Sequence, residues 1–123
     1  MRHFVFIGAL CGFLAVALGA FAAHGLEPVL SPGLLAVFQT GVDYQGTHAL
    51  ALLAVGLLGN HGRSAALNLA GWAFATGMLV FSGSLYVLAL TDIRWLGAIT
   101  PIGGIAFLIG WAALAWHAWH TSA

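Results

Sequence analysis

Long apolar runs, separated by short polar segments, cover most of the chain. The first uncharged run extends from Phe4 to Ala23, which is about the 20 residues that a helix needs to cross a bilayer core about 30 Å thick. Comparable runs follow, and together they predict membrane-spanning helices over about 4–23, 42–59, 65–90 and 96–119. We therefore expect a single domain, residues 1–123, that is an all-α integral membrane bundle of four transmembrane helices.

A shorter helix is predicted between the first two spans. Residues 24–30 are a predicted break in the helical pattern, punctuated by Pro28. Ser31 and Pro32 are then typical of a helix N-cap and first helical residue. Because a short apolar face follows before the next polar stretch, we expect a short interfacial helix over about 32–40.

The ends of the later helices are marked in the same way. A tight turn is predicted over residues 60–63, and Ser64 can cap the third helix. The start of the fourth helix has two interpretations. Thr100 and Pro101 could be its N-cap and first residue, with a non-helical approach before them. Alternatively, the helix begins near Trp95 and Pro101 kinks it, since membrane helices tolerate proline.

Small residues recur at four-residue spacing along the first span. They are Gly8 and Gly12, and then Ala15, Gly19 and Ala23. Such stripes let helix backbones approach closely in lipid, where van der Waals packing drives association. An intramolecular packing face is the preferred interpretation, and a dimerisation face is the alternative.

The composition is that of a protein embedded in lipid. Of its 123 residues, 62% are hydrophobic and only 5% are charged, too little charge to cover the surface of a soluble domain. Net charge is zero, with three basic and three acidic residues, and no basic tail or patch along the sequence suggests binding to nucleic acid or to anionic lipid. Cys11, the only cysteine, can form no internal disulfide and is expected to pack as a small apolar residue.

Basic residues near the ends of the spans indicate an orientation. Arg2 and Arg63 fall on one side of the membrane, whereas Arg94 lies on the other side beside Asp92. Since basic residues favour the cytoplasmic side, both termini are expected in the cytoplasm. A signal peptide is the alternative for the first run, but such peptides have apolar regions of only about 7–15 residues, so a retained helix is expected.

Polar and small residues from four segments are predicted to meet at one depth, in the half of the bilayer away from the termini. The second helix enters there through a polar stretch, Gln39–His48, because the apolar run behind it is too short to span alone. Polar groups at that depth are costly, so they mark either a packed interface or a functional cavity. The candidate binding cluster consists of His24, Asp43, Tyr44, Gln45, His48, Ser82, Ser84, Tyr86 and Thr100.

Helical spacing places the polar side chains of the second helix on one arc. At about 100° per residue, their order across the arc is Asp43, Thr47, Tyr44, His48 and Gln45. The opposite face carries Val42, Gly46 and Ala49. Tyr44 and His48 are four residues apart and can touch, whereas Asp43 and His48 point away from each other.

A structural role competes with a functional one for each candidate. His48 is interpreted as an interhelical hydrogen-bonding residue, worth about 0.6–2 kcal/mol, with a functional ionisable group as the alternative. Asp43 is interpreted as a charge at the level of the lipid headgroups. Ser82 and Ser84 favour close packing over nucleophilic catalysis, because no acid or base stands at fixed spacing from either. The six histidines form no metal-binding motif of specific spacing, so no metal or cofactor is expected.

Four segments carry a resemblance to known proteins. They are GAFAAHG at 19–25, TGVDYQGTHAL at 40–50, FSGSLY at 81–86 and TPIGG at 100–104. Through them, nearly the whole chain resembles the YgdD / transmembrane protein 256 family, small four-helix membrane proteins with a domain of unknown function. The resemblance implies an integral membrane protein, mostly of the bacterial inner membrane, with mitochondrial relatives in eukaryotes. It implies no established activity and no catalytic residues.

These features together predict a non-enzymatic function. We expect an accessory or structural membrane component that binds lipids or other membrane proteins, or associates with its own copies through glycine-rich helix faces. The alternative is an oligomeric transporter or channel component that uses the polar cluster, since four helices are too few for a roomy pathway in one chain. An enzyme is disfavoured because no catalytic constellation is evident.

Overall fold

The computed structural model describes residues 1–121, and within that range every regular element is helical. The chain forms continuous helical segments, which we call rods. The first rod consists of α1, Arg2–Phe21, and the π-helical turn that follows it, Ala22–Leu26. The second rod is α2, Pro32–Leu58, which is followed by the 3₁₀ turn Gly59–His61.

Two more rods come from the second half of the chain. α3, Ala65–Gly77, and α4, Gly83–Thr91, are joined without a break by the π-helical turn Met78–Ser82. A 3₁₀ turn, Arg94–Ala98, then leads into α5, Thr100–His120. In the resulting bundle, α1 packs along α2, α2 packs against the α3–α4 rod, and α5 packs against α3 and the π turn.

Three of the rods are long and apolar enough to cross a membrane. Within residues 1–121 these are Arg2–Leu26, Ala65–Thr91 and Arg94–His120, with mean hydropathies of 2.4, 1.8 and 1.8. In the most apolar part of each segment, 17% of Arg2–Leu26 and 22% of Arg94–His120 are buried inside the bundle, whereas 44% of Ala65–Thr91 is buried. Apolar surface left uncovered on this scale indicates contact with a membrane. α2 is also 27 residues long, but its polar stretch lowers its hydropathy.

The helix starts that the sequence predicts are confirmed at two places. The Ser31 hydroxyl accepts a hydrogen bond from the Leu34 N–H at 3.3 Å, and a proline occupies the first turn of α2. The Ser64 hydroxyl accepts a hydrogen bond from the Leu67 N–H at 3.0 Å at the start of α3. Each bond satisfies one of the N–H groups that a helix start leaves without a partner.

The separate interfacial helix predicted over 32–40 is wrong, because this segment is the first part of α2. The Thr40 hydroxyl donates to the carbonyl of Ala36 at 2.9 Å, and the helix passes Gly41 without a break. Phe38 is only 1% exposed. It packs in an apolar cluster with Ala22, Leu26 and Ala89. Tertiary packing therefore holds this segment in line with the rest of α2.

The break predicted after the first span begins later than expected. His24 and Gly25 lie inside the π-helical turn, and the Glu27 N–H donates to the Ala22 carbonyl at 3.1 Å, five residues back. One wider turn thus carries the helix through a glycine that the sequence suggested as its end.

Of the two predicted starts for the last helix, the structure has the later one. α5 begins at Thr100 with Pro101 in its first turn, and the segment before it is 3₁₀ rather than α-helical. Thr100 is not the N-cap, however. Ile99 occupies that position, and its apolar side chain cannot form a cap. The Thr100 hydroxyl lies 2.6 Å from that of Ser84 instead.

Glycines set the distance between neighbouring rods. A Cβ at Gly103 of α5 would lie 2.4 Å from the backbone nitrogen of Phe81 in the π turn. A Cβ at Gly8 of α1 would lie 3.0 Å from the Ala49 carbonyl oxygen of α2. The small-residue stripe of α1 is therefore used for packing within the chain.

Candidate functional site

A layer of polar side chains lies between two apolar clusters of the bundle. The larger cluster contains Phe4, Leu52 and Phe74, and the smaller one contains Phe38 and Ala89. Along α2 and the α3–α4 rod, the buried polar residues lie between the members of these clusters. They are Gln45, His48, Ser82 and Ser84.

Gln45 connects three rods through both ends of its amide. Its Nε2 donates to the backbone carbonyl of Cys11 in α1 at 2.8 Å, and its Oε1 accepts from the Tyr86 hydroxyl of α4 at 2.7 Å. Nearby, the Ser82 hydroxyl donates to the Gly41 carbonyl of α2 at 2.7 Å. In an apolar medium a polar group without a partner is costly, so these bonds fix how α2 is rotated against its neighbours.

A second polar contact joins α4 to the start of α5. The Ser84 hydroxyl donates to the Phe81 carbonyl at 2.9 Å, and the Thr100 hydroxyl lies 2.6 Å from the Ser84 oxygen. The Thr100 hydroxyl also donates to the Leu96 carbonyl at 3.4 Å, and either hydroxyl can be the donor in the pair with Ser84. The contact holds the first turn of α5 against the neighbouring rod.

His48 uses both of its ring nitrogens. The indole N–H of Trp111 in α5 donates to His48 Nε2 at 3.0 Å, so that Nε2 carries no hydrogen. The hydrogen is then on Nδ1, which donates to the Tyr44 carbonyl at 2.7 Å. These two bonds assign a neutral ring with one tautomer. The ring also stacks on Phe107, with centroids 3.6 Å apart and planes 11° from parallel.

A cavity of about 440 Å³ lies beside His48, and we call it the His48 groove. Its walls are mostly aromatic or aliphatic, and the polar groups among them are Tyr44 and His48. Its lining residues are Tyr44, His48, Phe81, Pro101, Gly104, Ile105, Phe107, Leu108 and Trp111. Ile105 and Leu108 are 57% and 69% exposed, so the groove opens on the outer surface of the bundle. The Tyr44 hydroxyl makes no hydrogen bond with residues 1–121.

Two of the predicted cluster residues are not brought into contact with the others. His24 and Asp43 are exposed, and neither side chain makes a hydrogen bond or ion pair within the range that the structure describes. The arc of polar side chains predicted on α2 is therefore only partly buried, since Gln45 and His48 are buried and Asp43 and Thr47 are exposed. The buried face of this helix runs through Gly41, Gln45 and Ala49, which puts Asp43 on the outside. The predicted contact between Tyr44 and His48 is confirmed, with ring centroids 6.0 Å apart.

The polar residues also differ in depth. His48 precedes the end of α2 at Leu58 by ten residues, or about 15 Å at a rise of about 1.5 Å per residue. That distance is half of a bilayer core about 30 Å thick, so His48 lies near its middle if α2 crosses it. Asp43 lies about 7 Å further along the helix by the same rise.

The main partner of His48 was not identified from the sequence. Trp111 stands in the middle of the last apolar run, where a tryptophan is far from the interface that this residue type favours. Its position deep in a span is a signal that its N–H has a buried acceptor. A second side-chain hydrogen bond that was not identified from the sequence joins Ser64 and His117, whose oxygen and Nδ1 atoms are 2.6 Å apart.

The geometry supports packing and binding more directly than it supports chemistry. Within residues 1–121, no group of three or more histidine, cysteine or carboxylate side chains is close enough to hold a metal ion. In the same range, every buried side-chain nitrogen and oxygen has a hydrogen-bond partner. The cysteine thiol of α1 is partly buried and lines a separate cavity of about 280 Å³ beside Gln45 and Tyr86.

Comparison with known proteins places the chain in a family. A UPF0382 membrane protein of Staphylococcus haemolyticus (strain JCSC1435) is 49% identical over 114 residues, which cover 93% of each chain. The UPF0382 membrane protein YwdK of Bacillus subtilis (strain 168) is 47% identical over 112 residues, or 90% of this chain and 91% of that one. No solved structure matches.

A family model described as a protein of unknown function (DUF423) matches residues 18–104. This range contains all four segments on which the resemblance rests. It includes Gln45 and His48, whereas their partners Cys11 and Trp111 lie outside it. The expectation of a bacterial-type membrane protein family without an assigned activity is thereby confirmed. The chain belongs to the DUF423 family of membrane proteins.

Proposed function

We propose that this protein is a non-enzymatic membrane component that holds the hydrocarbon part of a membrane lipid in the His48 groove. The groove is the observation that carries the proposal. Its volume of about 440 Å³ is within the size of ordinary ligand sites, about 300–1,000 Å³. Because it opens beside Ile105 and Leu108 on the outer surface of the bundle, lipid tails have direct access to it.

The chemistry of the walls favours a hydrocarbon over a polar solute. His48 has no free nitrogen, since one donates to Tyr44 and the other accepts from Trp111. The Tyr44 hydroxyl is the polar group left to meet a ligand. Side chains that line a void lose dispersion contacts on one side, and an acyl chain restores them without any polar group having to be desolvated.

The same observations support a packing role for the predicted polar cluster rather than transport. Gln45, Ser82 and Tyr86 bond to one another's helices, so they offer little to a passing ion or solute. An oligomeric transporter would need these groups to face a path between subunits. We therefore keep the transporter as an outcome of the experiment below.

We also propose that α2 is a fourth span and that the protein lies in the bacterial plasma membrane with Arg2 and Arg63 in the cytoplasm. The length of α2, 27 residues or about 40 Å, exceeds the bilayer core. Its buried polar residues are paired, which lowers the cost of placing them in lipid. Arg94 pairs with Asp92 at 2.5 Å, which leaves the uncompensated basic residues at the other end.

Photocrosslinking tests the lipid site. The purified protein is placed in liposomes that contain a phospholipid with a diazirine in its acyl chain, and labelled peptides are mapped by mass spectrometry. We expect labelling at Ile105 and Leu108 above that at Phe13 of α1, which is 71% exposed. Gly104→Leu should abolish the excess labelling, because position 104 lines the groove and a leucine there would fill it. The substitution is tolerated by the backbone, since the nearest atom to a Cβ added at this position is 3.9 Å away.

Gly83→Leu is the matched control. It also adds a leucine to a cavity wall, but in the smaller cavity beside Cys11, where an added Cβ meets nothing within 4 Å. Labelling at Ile105 should survive in this variant. Equal labelling of Ile105 and Phe13 would reject the lipid site. If liposomes with the wild-type protein took up solute and liposomes with Gly104→Leu did not, the transporter would be favoured instead.

A further inference from the structure

A third cavity, of about 210 Å³, lies at the end of the bundle that carries Arg2, His61, Arg63 and His117, which we call the basic end. It is bounded by the turn between α2 and α3 and by the last turn of α5. Its lining residues are Leu58, His61, Gly62, Arg63, Ser64, His117 and Thr121. It is remote from the His48 groove, and its function does not depend on the function proposed for that groove.

Hydrogen bonds and backbone geometry fix the shape of this cavity. The Ser64 oxygen accepts the Leu67 N–H at 3.0 Å and lies 2.6 Å from His117 Nδ1. Gly62 has a φ of 136°, a conformation that side chains with a Cβ rarely adopt, and it turns the chain between His61 and Arg63. The α2–α3 turn is thereby held against α5.

His117 presents a polar atom that the protein does not use. The residue is only 8% exposed, and its Nδ1 is taken by Ser64. Its Nε2 makes no hydrogen bond within residues 1–121, yet no buried side-chain nitrogen in that range lacks a partner. Nε2 therefore keeps some accessible surface, and His117 is one of the residues that line the cavity.

The charge around the cavity favours an anion. All three carboxylate side chains of the chain, Glu27, Asp43 and Asp92, belong to other parts of the bundle. Arg94 is paired with Asp92, whereas Arg63 makes no ion pair with the residues that the structure describes.

We propose that this cavity binds the phosphate headgroup of an anionic phospholipid. Arg63 supplies a fork of N–H donors that matches phosphate oxygens, and His61 and His117 supply further donors around it. The basic end stands where a span leaves the bilayer, so a headgroup is the phosphate source at hand.

Native mass spectrometry of the full chain in detergent with phosphatidylcholine, titrated with phosphatidylglycerol, tests this site. We expect retained phosphatidylglycerol adducts, and a loss of affinity of about five- to tenfold in Arg63→Gln. Arg94→Gln is the matched control at the other end and should bind as the wild type does. Arg2→Gln removes a charge from the basic end without touching the cavity, and it should have a much smaller effect than Arg63→Gln.

Two further measurements distinguish headgroup binding in this cavity from a general attraction between lipid and positive charge. His117→Gln places a side-chain amide near Ser64 in place of the ring and removes Nε2, so it should also weaken phosphatidylglycerol binding. Circular dichroism confirms that each variant is folded. Inorganic phosphate alone should neither bind detectably nor displace the lipid. Equal losses in Arg63→Gln and Arg94→Gln would overturn the proposal, as would binding of inorganic phosphate with the affinity of the lipid.

Discussion

His48 holds α2 and α5 together through a hydrogen bond, and the contacts of its two ring nitrogens fix which of them donates and which accepts. The ring accepts from Trp111 and donates to a carbonyl of its own helix, so it cannot rotate by half a turn without losing both contacts. Trp111 is 43% exposed on the outer surface of the bundle, so replacing His48 with an apolar residue leaves the indole N–H among apolar side chains and lipid tails without an acceptor. The cost should therefore exceed the value of one hydrogen bond.

We expect His48→Leu to lower the free energy of unfolding by about 1–3 kcal/mol, the cost of leaving a buried donor unsatisfied. Trp111→Phe removes the donor, so the double variant should lose less than the sum of the two single losses. Reversible unfolding in mixed micelles measures all four proteins of this cycle. If the two single losses add up to the loss in the double variant within about 0.5 kcal/mol, the hydrogen bond between His48 and Trp111 does not contribute to stability.

Only part of this site was predictable at the scale of single residues. Spacing of four along one helix predicts the contact between Tyr44 and His48, because both lie on the same local surface. It does not predict Trp111, since the rotation of α5 against α2 depends on packing over the whole interface. For the same reason the outward position of Asp43 was missed.

Adjacent glycines at the start of α5 have opposite roles. Gly103 faces the π turn, where an added Cβ would be 2.4 Å from the Phe81 nitrogen. Gly104 faces the His48 groove, where the nearest atom to an added Cβ is 3.9 Å away. The contact at Gly103 is with backbone, which cannot move aside as a side chain can.

We expect Gly103→Ala to destabilise the protein by about 1–3 kcal/mol, because the α3–α4 rod and α5 must separate. Gly104→Ala should be neutral or should stabilise it by up to about 1 kcal/mol through the higher helix propensity of alanine. Thermal unfolding of both variants in one detergent gives the comparison. Equal melting temperatures of the two variants would contradict the close approach of α5 to the α3–α4 rod at Gly103.

At the scale of elements, local signals predicted starts better than they predicted continuity. Ser31 and Ser64 cap α2 and α3 as expected, because a cap bond involves only neighbouring residues. The short helix predicted over 32–40 was expected to end before the span at 42–59, but the packing of Phe38 carries α2 through this boundary. The π turns at Ala22–Leu26 and Met78–Ser82 have no comparable sequence signal.

The whole molecule differs from a bundle of uniform spans in the character of α2. This helix carries the exposed Asp43, and yet its buried face supplies Gln45 and His48 to the centre of the fold. A helix that packs on α1 along one side and on the α3–α4 rod along another is enclosed by apolar spans. A position flat on the membrane surface would pull it away from both neighbours.

The number of crossings therefore decides on which sides the loops lie. Single cysteines at Val29, Asn60 and Ile93, in a Cys11→Ala background, change no charge and are reacted with a membrane-impermeant maleimide. With α2 as a fourth span, Val29→Cys and Ile93→Cys react in intact cells, and Asn60→Cys reacts only after permeabilisation, because the uncompensated basic residue Arg63 lies beside Asn60. If α2 stayed on one surface, positions 29 and 60 would react on the same side and position 93 on the opposite side. That result would reject the fourth span, whereas exchange of the two sides would retain it and reverse the orientation.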